Sequence, residues 1–158
     1  MTRSQKFTLV LLRLSIGWLM FYAGVTKVLN PEWSAAGYLK GAKTFTGFYD
    51  ALLSPNILPI INLVNAWGLT LLGVSLILGI FVRLSSVLGA VLMLLYYLPA
   101  LDFPYPNKNS YIVDEHIIYI FVLFFFATMR AGRVFGLENR CANLPICSRY
   151  PWLRNLIW

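Results

Sequence analysis

The sequence has few of the side chains on which most redox and hydrolytic sites depend. Its 158 residues include one histidine, two cysteines and six acidic residues. One histidine cannot supply two axial haem ligands, and no Cys-x-x-Cys-His attachment site is present. Neither a glycine-rich dinucleotide fingerprint nor a P-loop occurs. The chain therefore has no evident means of binding haem, flavin or an iron–sulfur cluster by itself.

Charge is equally scarce. Charged residues make up 12% of the chain, against roughly 25% in soluble domains. Hydrophobic residues make up 59%, and the mean hydropathy is +0.69. Such a chain cannot cover a globular surface with polar groups. We therefore predict a small integral membrane protein and exclude an ordinary soluble enzyme, a disordered chain and a disulfide-stapled secreted domain.

What the sequence does contain is four continuous apolar runs, each close to the roughly 20 residues with which a helix crosses a bilayer. The runs lack the period-two alternation of membrane strands. A cleaved signal peptide is not expected, because Lys27 follows the first run and three more runs come later. The predicted fold is an all-α, integral membrane four-helix bundle, with spans at residues 7–29, 57–82, 84–101 and about 111–130.

Basic residues set the predicted orientation. Arg3 and Lys6 precede the first run, Arg83 separates the second from the third, and further arginines follow the fourth. The positive-inside rule places these segments on the cytoplasmic side. We predict a multi-pass protein of the plasma or inner membrane with both termini cytoplasmic. The net charge of +7 then reflects topology, and no nucleic-acid partner is expected because no recognition motif accompanies it.

Two segments lie outside the four runs. Residues 32–53 carry Trp33, Tyr38, Phe45, Phe48 and Tyr49 among small and polar residues. This pattern fits either an interfacial or re-entrant segment roofing the bundle between helices 1 and 2, or an ordered loop resting on headgroups. We divide the chain into a membrane domain, 1–133, and a cytoplasmic, membrane-associated tail, 134–158. The tail holds Cys141 and Cys147, as reduced thiols or as a redox-active pair.

Ionisable residues enter the first and fourth runs. Only 13 uncharged residues separate Arg13 from Lys27, too few to cross a bilayer, so one or both lie at or below the interface. The fourth crossing must include His116 and draws in Asp114 and Glu115. Helical rise places Arg13 about 21 Å deeper than Lys27. We therefore expect Lys27 to pair with Asp114 or Glu115, and Arg13 either to snorkel to headgroups or to be buried.

Further polar and small residues lie at suitable depth for a pocket. Gly17 and Gly24 share a stripe of the first run that either packs a helix or admits a flat ring. A metal at Asp114, Glu115 and His116 is disfavoured because adjacent residues rarely converge on one ion, so no metal is predicted. We expect a polar pocket in the outer half that holds a quinone head, lined by Lys27, Asn65, Trp67, Glu115, His116 and Tyr119.

Several motifs occur in an order that resembles the DoxX/DoxD family over about residues 7–130. They are Leu12-Arg13-Leu14-x-x-Gly17, Phe21-Tyr22-Ala23-Gly24-Val25-Thr26-Lys27, Gly73-Val74-Ser75-Leu76-Ile77-Leu78-Gly79 followed by Arg83, and Asp114-Glu115-His116. The stretch Pro31-Glu32-Trp33-Ser34-Ala35-Ala36-Gly37-Tyr38-Leu39 is similar to the DoxD branch. That branch includes the membrane subunit of thiosulfate:quinone oxidoreductase.

The resemblance implies a quinone-linked oxidoreductase subunit that works with a partner redox subunit, oxidises thiosulfate to tetrathionate and passes electrons to quinone. Membrane lipid is the surrounding partner, and a homo-oligomer is compatible with the sequence. The alternative function is a non-catalytic membrane adaptor or assembly protein whose buried charges are structural. The catalytic candidates are His116, Glu115, Asp114 and Lys27, and the substrate- or quinone-binding candidates are Arg13, Gly24, Asn65, Trp67 and Tyr119.

Overall fold

The structure is a computed structural model that describes residues 1–138. Cys141, Cys147 and most of the predicted tail lie outside the described residues. The described part is all-helical, with no strands. Its helices are α1 Arg3–Val28, α2 Ala36–Lys40, α3 Thr46–Leu52, α4 Leu58–Leu78, α5 Val82–Ala100 and α6 Glu115–Met129, followed by a 3-10 turn at Ala131–Arg133.

Three helices, α1, α4 and α5, are long and apolar enough to cross a membrane, which confirms the all-α membrane class. The fourth predicted run forms the shorter α6, whose 15 residues extend about 22 Å. It begins at Glu115 rather than near residue 111, because Asp114 caps it. The second run ends at Leu78 rather than residue 82, because Gly79 takes a left-handed conformation with φ 69°. Arg83 consequently lies in the first turn of α5.

Two helix pairs form the body of the molecule: α1 lies along α4, and α5 lies along α6. Small residues let the first pair approach closely. A Cβ on Gly24 would lie 2.3 Å from the backbone nitrogen of Thr70, and one on Gly73 would lie 2.3 Å from that of Phe21. The glycine stripe is therefore filled by helix packing, and no flat ring fits between these two helices. A shared core joins the pairs, including Leu9, Met20, Leu69, Leu76, Leu123 and Phe126.

The α2–α3 segment covers one end of the helices, here called the roofed end, and it is anchored to the last turns of α5. Pro99 has no N–H, so the carbonyl of Leu95 loses its usual helical donor. The Tyr49 hydroxyl replaces that donor at 3.1 Å. The backbone N–H of Lys43 donates to the Pro99 carbonyl at 2.9 Å. The segment is thus bonded to protein and does more than rest on headgroups.

Arg13 lies at the opposite end and is 1% exposed. Its guanidinium donates to the carbonyls of Ala131 and, at 3.1 Å, Val134. The chain then continues over the α4–α5 turn, where the N–H of Glu138 donates to the carbonyl of Gly79 at 3.0 Å. Arg13 is therefore buried in the protein and does not snorkel. Residues 134–138, assigned to the tail by sequence, pack as part of the helical body.

Candidate functional site

A cavity of about 270 Å³ lies at the roofed end of the molecule. Four helices each contribute one polar side chain to its wall: Lys27 from α1, Asn65 from α4, Tyr96 from α5 and Tyr38 from α2. His116, in the first turn of α6, contributes a fifth. Three residues that join α1 to α2 complete the lining: Trp33, Ser34 and Ala35.

The Lys27 ammonium lies over two aromatic rings, 5.1 Å from the Trp33 centroid and 5.7 Å from the Tyr96 centroid. The expected ion pair with Asp114 or Glu115 does not form among the described residues. Ring faces attract a cation by their quadrupole and hold it without neutralising it. Because no hydrogen bond engages this ammonium within residues 1–138, its N–H donors are available to a ligand.

His116 is oriented by Asp114. One oxygen of Asp114 caps α6 by accepting from the backbone N–H groups of His116, at 3.0 Å, and Ile117, at 3.2 Å. The other oxygen lies 2.7 Å from Nδ1 of His116. The carboxylate thus favours a proton on Nδ1 and leaves Nε2 to accept a proton or, when protonated, to donate. Asp114 is buried, whereas the His116 side chain is 21% exposed.

Two buried polar atoms in the wall lack a hydrogen bond of normal geometry within the described part of the chain: Oδ1 of Asn65 and the hydroxyl of Tyr96. The Asn65 amide nevertheless lies close enough to the Tyr96 hydroxyl to interact with it. An unsatisfied buried polar atom costs about 1–3 kcal/mol and is uncommon in folded proteins. Asn62, one turn earlier on α4, shows the contrast. Its Oδ1 accepts from the backbone N–H of Ala35 at 2.9 Å. Asn62 therefore fastens the roof, whereas Oδ1 of Asn65 has no comparable partner.

Tyr38 closes the cavity from the roof. Its hydroxyl donates to the backbone carbonyl of Tyr96, and the two rings meet edge-on with centroids 6.0 Å apart. Burial raises the pKa of Tyr38 to about 12, with smaller contributions from Tyr49 and the acids near α6. Tyr38 is therefore a neutral donor at physiological pH, and its bond to α5 holds the roof over the cavity.

The structure brings together Lys27, Asn65 and His116 from the pocket predicted by sequence, with Asp114 behind His116. The other predicted residues lie elsewhere. Glu115 is exposed and does not line the cavity, although its carboxylate lies near His116. Trp67 is 49% exposed, and Tyr119 packs against the main core. The remaining two have packing contacts: Gly24 lies against Thr70, and Arg13 is at the opposite end of the molecule.

Sequence reasoning did not assign Trp33, Tyr38 and Tyr96 to the site. The first two were visible as aromatic residues of the segment between the first two runs, but nothing in their spacing showed which way the roof folds. Tyr96 belongs to a Tyr96-Tyr97 pair near the end of the third run. A polar aromatic pair at that depth is the signal that could have identified it.

Asp114, Glu115 and His116 do converge, since one ligand atom of each lies within 4.8 Å of the others. The three side chains therefore lie close together, and the expectation that no metal binds them stays a prediction. Both oxygens of Asp114 are nevertheless engaged, one by α6 backbone and one by His116. A cation there would have to replace the Asp114–His116 bond, so the cluster is better described as an oriented histidine.

A larger cavity, of about 580 Å³, lies between the start of α1 and the end of α6. Its lining includes Leu9, Leu12, Phe125 and Met129, with Ser4, Gln5 and Thr8 as the polar side chains. No ionisable side chain and none of the unsatisfied buried atoms line it. Cavity size alone therefore does not identify the functional site. The smaller cavity at the roofed end is the one lined by ionisable side chains.

The comparisons with known proteins give one match. A family model described as DoxX matches residues 8–100, which is more than half of the chain. The matched region contains α1 to α5 and thus Lys27, Trp33, Tyr38, Asn65 and Tyr96, and it ends before His116. No curated protein and no solved structure matches the chain at a significant level.

Proposed function

Since the chain belongs to the DoxX family of membrane proteins, we propose that it is a quinone-linked redox protein whose cavity at the roofed end binds a quinone head. One observation carries this proposal: Oδ1 of Asn65 and the Tyr96 hydroxyl are buried without a hydrogen bond of normal geometry in a cavity that also presents Lys27 and His116. A ligand with a flat ring and polar groups at both ends satisfies these atoms.

The chemistry of the wall suits both redox states of such a ring. A quinone has two carbonyl oxygens that accept hydrogen bonds, and the Lys27 ammonium and Tyr96 hydroxyl can donate them. A quinol has two hydroxyls that donate, and Oδ1 of Asn65 and Nε2 of His116 can accept them. The aromatic rings of Trp33, Tyr38 and Tyr96 supply apolar surface for the ring.

Reduction of a quinone consumes two electrons and two protons and yields a quinol. His116 is suited to deliver one proton from Nε2, because the contact of Asp114 with Nδ1 fixes the orientation of the ring. Its partial exposure lets it regain a proton from water. The Lys27 ammonium is the donor for the second oxygen, and water restores its proton. Lys27 and His116, the two candidate proton donors, both line the polar cavity.

The proposed electron donor is thiosulfate. Two thiosulfates lose one electron each and join through a new S–S bond to form tetrathionate, and the two electrons reduce one quinone. A dianion needs a site of net positive charge, but this cavity offers it one ammonium, that of Lys27, with the carboxylate of Asp114 directly behind His116. We therefore assign the sulfur chemistry to a partner redox subunit or to the outer surface, and the quinone to this cavity.

The proposed topology has four spans in the plasma or inner membrane, with both termini cytoplasmic and the roofed end outside. In this four-helix bundle α6 is the fourth span, and its length of about 22 Å is accommodated by local bilayer thinning. The α2–α3 segment lies at the outer interface, where its aromatic residues meet headgroups. This arrangement places the cavity at the depth of a quinone head.

The test is quinone content and binding in matched variants of one helix. Asn65→Leu removes an unsatisfied buried atom, so its stability without quinone should equal or exceed that of the wild type. It should nevertheless lose co-purifying quinone in mass spectra of extracted lipid, and lose the thermal shift produced by a quinone analogue. Trp67→Leu, on an exposed face of the same helix, should keep both.

His116→Ala tests whether His116 contacts the quinone, and it should reduce the thermal shift. Equal shifts in wild type and His116→Ala would remove His116 from the mechanism. Wild-type protein without quinone, and without any shift from the analogue, would contradict the proposed function and favour the membrane adaptor.

A further inference from the structure

A second, apolar cavity of about 200 Å³ adjoins the polar one at the roofed end. It is here called the side cavity. It lies between α4 and α5 and beneath α2 and α3. Apart from residues that it shares with the polar cavity, its walls are Leu39, Phe48, Tyr49, Leu52, Ile61, Val64, Leu92 and Leu95.

The two cavities share part of their walls. Ala35, Tyr38, Asn65 and Tyr96 line both, so the two cavities lie side by side at these four residues, and a molecule that occupies both has to pass between their side chains. Each cavity alone is smaller than the roughly 300–1,000 Å³ of typical small-molecule sites, and the two together reach that range. The shared residues include Asn65 and Tyr96, which carry the two unsatisfied polar atoms of the polar cavity. Beyond these residues the walls of the side cavity are almost entirely apolar.

The side cavity has an open rim and a closed interior. At the rim, Val64 is 58% exposed, Phe48 is 52% exposed and Leu95 is 39% exposed. In the interior, Leu39 and Tyr49 are buried. Val64 and Leu95 belong to the two spanning helices α4 and α5, and their exposed faces meet hydrocarbon in a bilayer. The rim therefore opens sideways into the lipid and not to water.

The side cavity offers almost no polar partner of its own. Its one further hydroxyl, that of Tyr49, already donates to the Leu95 carbonyl at 3.1 Å. A hydrocarbon-facing cavity without free polar groups gains dispersion contacts when a hydrocarbon chain fills it. A free lipid acyl chain could enter the side cavity from the bilayer without touching the polar cavity. A chain joined to the occupant of the polar cavity has to contact the residues that line both cavities.

We infer that the side cavity holds the isoprenoid tail of the quinone, so that the substrate is a tailed, membrane-dissolved quinone that enters sideways between α4 and α5. This inference rests on the proposed function and specifies its substrate class. The head lies in the polar cavity, the first part of the tail passes the shared wall, and the rest leaves through the rim into the lipid.

The experiment uses a benzoquinone with a decyl tail that carries a diazirine, bound to the full chain in lipid nanodiscs. After irradiation, labelled residues are mapped by mass spectrometry. We expect labels at Phe48, Val64 and Leu95, and their loss when excess tail-less benzoquinone is added. Val64→Trp should obstruct the rim and reduce labelling of Leu95. Leu63→Trp is the matched control and should not reduce labelling of Leu95. Leu63 is 60% exposed at the adjacent position of α4 and lies outside the side-cavity wall.

The outcomes separate the inference from the function. If tail-less benzoquinone shifts the melting temperature and Asn65→Leu abolishes that shift, while the diazirine labels other surfaces, the tail site is wrong and the function stands. If a diazirine fatty acid gives the same labels and tail-less benzoquinone does not compete, the cavity holds acyl chains and the inference is overturned. If tail-less benzoquinone neither binds nor competes, the proposed function itself fails.

Discussion

Tyr49 shows how a single hydroxyl can hold a segment in place. Pro99 deprives the Leu95 carbonyl of its helical donor, and the Tyr49 hydroxyl supplies another from α3. The Tyr49 side chain is also almost completely buried. The bond therefore couples the roof to the helix whose backbone the proline has opened, which is how proline is accommodated in membrane helices.

Tyr49→Phe should reduce the free energy of unfolding by about 1–3 kcal/mol, because it leaves the partly buried carbonyl of Leu95 without a donor. Thermal or denaturant unfolding in detergent measures this. Tyr22→Phe is the control, since Tyr22 is 59% exposed, and it should change stability by about 0.5 kcal/mol or less. Equal stability of Tyr49→Phe and wild type would show that water reaches the Leu95 carbonyl.

Glu138 is a buried acid at the opposite end of the molecule. Burial raises its pKa to about 7, although the positive charges of Arg133, Arg13 and Arg130 oppose the shift. Because the folded-state pKa lies above the unfolded one, folding is favoured while Glu138 is protonated. This contribution is present at low pH and is lost as the pH rises through about 7.

Glu138→Gln should remove this dependence. The melting temperature of wild type minus that of Glu138→Gln should fall as the pH rises from about 5 to about 8, and should level off above that. Melting curves of both proteins across that range measure the difference. A difference that stays constant with pH, or that grows in the other direction, would contradict the assigned pKa.

Residue chemistry was only partly predictable at the site. The sequence indicated that Lys27, Asn65 and His116 lie at one depth, because helical rise fixes depth. The expected pairing of Lys27 with Asp114 or Glu115 was wrong. An ion pair and a contact with ring faces both satisfy a cation at that depth, and the choice depends on where Asp114 is used. Asp114 caps α6 and orients His116, so the rings of Trp33 and Tyr96 take the ammonium.

Among the elements, the pair α1 and α4 depends most directly on small residues. Gly24 and Gly73 bring backbone against backbone, with no intervening side chain that could move aside. In a membrane, where burial of apolar surface does not drive helices together, such close packing is the main source of association. The contact should therefore be sensitive to one added methyl group.

Gly24→Ala should destabilise the protein by about 1–3 kcal/mol, because the new Cβ would lie 2.3 Å from the Thr70 nitrogen. Gly68→Ala is the matched control on α4, since a Cβ there has no neighbour within 4 Å. It should be neutral or stabilising by up to about 1 kcal/mol through helix propensity. Melting temperatures in one detergent compare the two. Equal effects would show that the α1–α4 contact is loose.

Helix existence was predictable, and helix ends were not. Continuous apolar runs predicted α1, α4 and α5 because length and hydropathy suffice. The end of α4 depends on a left-handed Gly79, and the start of α6 depends on the Asp114 cap, so both boundaries are set by local backbone chemistry. The roof is a further case: its aromatic content predicted a structured segment, but its docking on α5 depends on carbonyls that sequence does not display.

At the scale of the whole molecule, the distribution of arginine and lysine predicts the orientation. Arg3, Lys6, Arg83 and Arg133 lie at the end opposite the roof, whereas Lys40, Lys43 and Lys108 lie in the connections at the roofed end. The contrast is moderate, because Lys43 pairs with Asp102 at 3.0 Å and its charge is balanced. The positive-inside rule then places the roof outside.

Single cysteines test this orientation. In a chain whose two native cysteines are replaced by serine, Lys108→Cys should react with a membrane-impermeant maleimide added to intact cells. Thr2→Cys should react only after the cells are opened. Labelling of Thr2→Cys in intact cells, or protection of Lys108→Cys, would reverse the proposed topology and place the cavity on the cytoplasmic side.

The burial of Arg13 has a consequence for how the protein is made. Arg13 belongs to α1, and its acceptor Ala131 is 118 residues later in the chain, so α1 is synthesised well before that acceptor. At about 5–20 residues per second, roughly 6–24 s of synthesis separate the two. During that interval the guanidinium lacks its acceptors Ala131 and Val134, so the Arg13 end of α1 is expected to stay near lipid headgroups or within the insertion machinery. The last described residues thus complete the membrane insertion of the first helix, and a ribosome that stalls before Ala131 would leave a charged, half-inserted nascent chain for quality control.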